Sequence, residues 1–283
     1  MDSSLVIKRI TDSKRIPTLP NQVKHLLQAF NNENLGLQDL AKVIEYHPSI
    51  AARLIALANS AWSAPSQPII SIDRACIHLG LTVVRGVSIG LALISPFKLG
   101  ACPAFELRRF WVSSQLVAYA ALLLANRLPD HSGDELSQTV HTGGLLHNFG
   151  LLCLADIMPR ETQQALTLTR NNPEIGTNAA LFELLGTDFR EMGAWLAETW
   201  GLPSRLIVVM QHYADPNYRG LYWQEARLVG CAAELVAWVC RQETLPETLA
   251  FEELSLTTMD LAEVFNRLKT ALPEVTETAK ALF

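Results

Sequence analysis

Apolar positions recur at helical spacing along most of the chain. Val23, Leu26, Leu27 and Phe30 mark one face of a helix opening near Asn21. Asn31 to Asn34 breaks it, and residues 37–46 read as a second helix with Leu40, Ala41 and Ile44 turned inward. Pro48 stands where proline is tolerated at the start of a third, whose Ile50, Leu54, Leu57 and Ala58 again fall on one face. Ser71 is an N-cap for residues 72–79, Gly80 ends that helix, and residues 81–94 supply another. A break at 97–103 precedes a long helix over 105–128, with Phe110, Val117, Ala121 and Leu124 on one side. Residues 129–134 read as a polar, flexible link.

Residues 140–157 are apolar on nearly every face, which predicts one helix buried all round. In its middle stand His147 and Asn148. Buried polar groups cost roughly 1–3 kcal/mol each when unpaired, so both need partners. Gly143, Gly144 and Gly150 weaken helix propensity there, which points to close backbone approach by neighbouring helices. Further helices are expected over 162–169, 179–185, 190–200, 204–211 and 225–241, with a turn at Asn171, Asn172 and Pro173. Two amphipathic tail helices, 260–272 and 273–282, divide at Pro273. No strand series and no repeat of fixed period stands out, so the chain reads as all-α.

Composition narrows the picture. Hydrophobic residues make up 49% of 283 and charged ones 18%, enough for a sizeable core of buried helices. The formal net charge of −5, without a basic run, argues against nucleic acid as a partner. The five cysteines are widely spaced and without a C-x-x-C, and read as buried residues in a reducing compartment. No signal peptide and no membrane-spanning run are expected, which makes a cytoplasmic location the default.

The stretch from Gly144 to Gly150, Gly-Leu-Leu-His-Asn-Phe-Gly, resembles the G-L-L-H-D-I-G signature of HD-superfamily metal phosphohydrolases, with asparagine in place of aspartate. Upstream, Pro17 to Pro20, His47-Pro48-Ser49, Leu57 to Ala61, Ile70-Ser71-Ile72 and His78-Leu79-Gly80 come in an order that resembles the N-terminal half of the HDOD domain, an HD-related output domain of bacterial signalling proteins. The resemblance spans roughly residues 15–245. It implies a multi-helix HD-like bundle with an N-terminal helical subdomain: a helical half over 1–100, an HD-like core over 104–245 and a tail over 246–283.

An active HD site holds one or two divalent metals through His and Asp, and the metals activate water against a phosphate ester. The resemblance places the family's ligand positions at Ser113, at His147 and Asn148, at Phe189 before Glu191-Met192-Gly193-Ala194, at His212 and Tyr213 after Trp200-Gly201-Leu202-Pro203, and at Glu234. Ser113, Asn148, Phe189 and Tyr213 depart from the family pattern. Phe189 lines up with Met192, Leu196 and Trp200 in an apolar stripe that fills part of the old pocket. His147 and Asn148 read either as satisfied core groups or as remnants of a ligand site. Glu234, the one charge in residues 228–240, is expected to be buried and paired with His147 or His212, the alternative being an exposed helix edge. His212 reads equally as a pocket residue or as a surface histidine near a helix C-terminus.

The substituted ligand set favours a non-catalytic HDOD protein, a signalling or scaffolding module with no resident cofactor. Its implied partners are signalling proteins in trans, receiver or cyclic-dinucleotide domains among them, with homo-oligomerisation left open. One alternative is a phosphohydrolase acting on a nucleotide or cyclic dinucleotide, with Fe, Mn, Zn or Mg held by His147, His212 and Glu234. Another is a nucleotide-binding module without chemistry.

Overall fold

The computed structural model describes residues 19–30, 35–128, 133–172, 174–246 and 251–283. The expected features at Pro17 and Thr18, at Asn31 to Asn34, at residues 129–132 and at Pro173 lie outside them. The described residues form helices and no strand; one β-bridge joins Phe251 and Leu256.

The N-terminal part contains α1 (Asn21–Phe30), α2 (Leu37–Glu45), α3 (Pro48–Ala58), α4 (Ile72–Leu79) and α5 (Leu81–Ile94). Ser71 caps α4 as expected, its hydroxyl accepting from the Arg74 amide. Gly80, at φ +81°, turns the chain through 115° between α4 and α5. Asn59 clamps the loop after α3: its side chain donates to the Ile69 carbonyl at 2.7 Å and accepts from the Ile69 amide at 2.8 Å. His78 ties the same loop to α4 through the Ser63 carbonyl.

A long helix α6 (Leu107–Ala125) leads to α7 (Gly133–Leu146), α8 (Phe149–Ile157), α9 (Pro159–Asn171), α10 (Thr177–Leu185), α11 (Phe189–Thr199), α12 (Ser204–His212) and α13 (Trp223–Cys240). The buried stretch 140–157 is therefore two helices, α7 and α8, broken by a turn at His147 and Asn148. The side chains carry the reason. The His147 Nδ1–H donates to the Gly144 carbonyl at 2.7 Å, satisfying a backbone acceptor that the helix end leaves unpaired. The break redirects α8 onto α11.

Three close approaches make this packing possible. A Cβ on Gly144 would meet the Ala118 backbone of α6. One on Gly150 would overlap the Phe189 carbonyl and the Gly193 amide of α11, and one on Gly230 would overlap the Tyr213 carbonyl.

The tail is one helix, α14 (Thr258–Leu282), rather than two. Thr257 and Asp260 form a capping box at its start. Pro273 lies inside it at a cost of about 3 kcal/mol, offset by burial of Leu268, Ala271, Val275 and Ala279 on either side. Arg127 at the end of α6 pairs with Asp260 at 3.5 Å and Glu263 at 2.7 Å, and the last ring, Phe283, packs between Trp111 and the Arg53 guanidinium.

The core divides into two clusters. One joins α1–α5 to α8–α12, with Trp111 and Ala118 of α6, Leu146 of α7 and Ala279 of α14; the other joins α6, α7, α13 and α14, with Val209 of α12. Among the described residues no single helix is long and apolar enough to cross a membrane.

Gly150→Ala is expected to destabilise the protein by about 3 kcal/mol, because only backbone atoms stand in the way. Gly100→Ala, which meets open space, should stay within about 0.5 kcal/mol of the parent. Urea unfolding of the two variants checks both.

Candidate functional site

The turn between α7 and α8 places His147 and Asn148 deep in the molecule, each 7% exposed. They bond outward rather than to one another. Asn148 Oδ1 accepts from the Ser114 hydroxyl of α6 at 3.0 Å. Ser113, where the resemblance places the family's first ligand position, is half-buried one residue before it. The antiparallel hairpin of α6 and α7 sets the contact between Ser114 and Asn148, since Gly144 abuts Ala118 and Asn148 then falls one turn away, opposite Ser114.

His147 meets Tyr213 edge to face, ring centres 5.5 Å apart at 88°. Tyr213, which ends α12, is buried, and desolvation pushes its phenol well above the usual range while the Arg190 cation opposes. Its neighbour His212 is half-buried and stacks flat on Tyr218, centres 3.9 Å apart at 4°. Desolvation lowers the His212 pKa; Asp215 opposes and Arg190 adds to the drop. Phe189 opens α11 half-buried and packs against both core clusters. Met192 and Leu196 continue its stripe into the core, and Trp200 ends it against Phe97 and Phe149.

Glu234 departs from expectation. It lies on the exposed side of α13, and no hydrogen bond joins it to His147 or His212. The apolar neighbours on both sides in sequence belong to the other faces of the helix, which explains the misreading. Partial desolvation raises its carboxyl pKa, with Arg227 opposing and Glu253 adding.

Two residues outside the sequence-based set shape the site. Asp188 caps α11, accepting from the Arg190 and Glu191 amides, and holds the Arg190 guanidinium through Nε at 2.9 Å and a second nitrogen at 2.5 Å. An aspartate just before an apolar helical stripe is a legible N-cap signal. His141, on α7, is 2% exposed and lies against Gly86 of α5. Its lack of ligand-like spacing hid it; the glycine opposite is the clue.

Burial holds His147 near a pKa of about 4, the Gly144 carbonyl opposing, and burial alone holds His141 at about 4. His147 is thus a neutral imidazole with its Nδ1 proton committed. The arrangement does not fit the divalent metal that an HD-type site uses. Asn148 offers no anionic oxygen, Phe189 offers no donor, Glu234 points away and His212 is stacked on a ring. Among the described residues no three His, Cys, Asp or Glu side chains converge in a way that could hold a metal ion.

This all-α arrangement, an HD-like turn set between packed helices, defines an HD-related helical domain. The chain belongs to the HDOD family, whose HDOD domain matches residues 16–216. A relative in Treponema pallidum (strain Nichols), an uncharacterized protein, is 26% identical over 215 residues, 75% of this chain and 40% of its own length. A provisionally named signal transduction protein of Marinobacter aquaeolei VT8 shares 26% identity and superposes with a TM-score of 0.83 over 96% of this chain and 60% of that one. This chain thus spans less than two thirds of the length of either relative, 40% of one and 60% of the other. An HDOD domain protein of unknown function from Geobacter sulfurreducens has the same fold, with a TM-score of 0.77 at 23% identity over 99% of this chain and 97% of that one.

Ser114→Ala should cost about 1–2 kcal/mol by leaving the Asn148 carbonyl buried without its donor, as read by thermal unfolding. Acid should act through the two buried imidazoles. Their folded pKa values lie below the unfolded value of 6.5, so the unfolded chain binds protons first as pH falls. Stability is complete above about pH 6.5 and is lost towards pH 4, by up to about 3 kcal/mol per histidine. Unfolding free energies measured across that window should slope accordingly, and His141→Leu should flatten the slope.

Proposed function

We propose that this protein is a non-catalytic HDOD module of bacterial signal transduction, acting by binding other signalling proteins through its helical surfaces. The observation that carries the reading is the state of the ligand positions. Phe189 fills one with a ring, and Asn148 spends its oxygen on Ser114. His147 is neutral and already hydrogen-bonded, and Glu234 faces outward. Two divalent ions sharing one site need anionic oxygens between them, and a carboxamide supplies none.

The provisional signalling name of the Marinobacter relative supports the same direction. Receiver and cyclic-dinucleotide domains are the partners such a module suits, supplied in trans or by a longer polypeptide. In this reading the outer faces of the helices carry the function.

Metal analysis of the purified protein should find Fe, Mn and Zn well below one equivalent. A broad panel of phosphodiesters and nucleotides should stay intact with Mn added. Near-stoichiometric metal that disappears in His147→Ala, or turnover abolished by the same change, would overturn the proposal.

A further inference from the structure

A pocket of about 470 Å³ lies away from the HD-like turn, where three parts of the fold meet. Trp62 reaches it from the loop after α3, Tyr119 from α6, and Glu263, Arg267, Thr270 and Glu274 from α14. The two rings stand at 88° with centres 6.1 Å apart, so they form a corner rather than a stack. Trp62 does not wander: the Asn59 clamp and the contact from His78 to the Ser63 carbonyl fix its loop at both ends.

The charges around this corner do not cancel. Glu263 is shared by Arg127 at 2.7 Å and Arg267 at 2.9 Å, and Arg127 also meets Asp260. Glu274 is half-buried, and no ion pair joins it to another of the described residues. Two guanidinium groups therefore face three carboxylates, and the surplus negative charge is the one lining the pocket with the rings. Aromatic faces and a lone carboxylate favour a cation that is planar and weakly hydrated.

We infer that this corner binds the guanidinium of an arginine side chain presented by a partner protein, stacked on Trp62 or Tyr119 and paired with Glu274. The protein nature of the partner rests on the function proposed above; the preference for guanidinium rests on the pocket itself. An occupant here touches the N-terminal half, α6 and the tail at once, so its binding also fastens the tail to the body.

The test uses the full chain carrying 5-fluorotryptophan, with the Trp62 fluorine resonance assigned through Trp62→Phe. A blocked Gly-Arg-Gly peptide should shift that resonance saturably, and a blocked Gly-Glu-Gly peptide should not. Glu274→Gln should weaken the arginine peptide about tenfold without changing the unfolding midpoint. Equal shifts from both peptides, or unchanged affinity in Glu274→Gln, would overturn the proposal. Agmatine binding as tightly as the peptide would overturn the peptide-borne occupant in favour of a free cation. The metal and turnover assays are untouched by any of these results, so the two readings fail separately.

Discussion

The structure depends on how closely α8 and α11 cross. At Gly150 and Gly193 the two backbones meet without side chains between them. That crossing brings Phe189 to within two residues' reach of Asn148 and fixes it there. The same device recurs where Gly144 lies on Ala118 and Gly230 lies on the Tyr213 carbonyl. His147 itself meets main chain at the Gly144 carbonyl and a ring at Tyr213.

Charge follows the same plan. The imidazoles of His141 and His147 lie where desolvation outweighs every other influence, so they stay neutral. Two ion pairs reach the interior as well, through the buried Asp188 with Arg190 and the buried Arg227 with Glu253, while Arg127 with Glu263 lies nearer the surface. At the turn itself the hydrogen bonds run between neutral groups, Ser114 to Asn148 and His147 to the Gly144 carbonyl.

Much of this was legible in the sequence. Helical spacing, Ser71 as a cap, Pro48 at a helix start and Gly80 at a turn all map onto the elements found. The stripe of Phe189, Met192, Leu196 and Trp200 was readable for the same reason, since its residues declare their face by spacing alone. The failures share a different cause: they depend on a partner distant in the chain. The break at His147 depends on a carbonyl reached by a side chain. Glu234 was judged from its neighbours in sequence, although helix geometry turns those neighbours to other faces. Pro273 read as a stop because its local cost is plain, while the apolar surface that offsets it lies on α6 and α13.

The two core clusters also bear on where the chain can be cut. The segment recognisable as HDOD closes at residue 216, yet Leu228, Val229, Leu235, Phe265 and Leu268 beyond it cover Leu116, Ala120, Ala121 and Leu124. A piece trimmed to the recognisable length would lay bare one whole flank of α6. Such a broad greasy face drives molecules to clump. The span that can be recognised and the span that can stand alone in water are of different lengths.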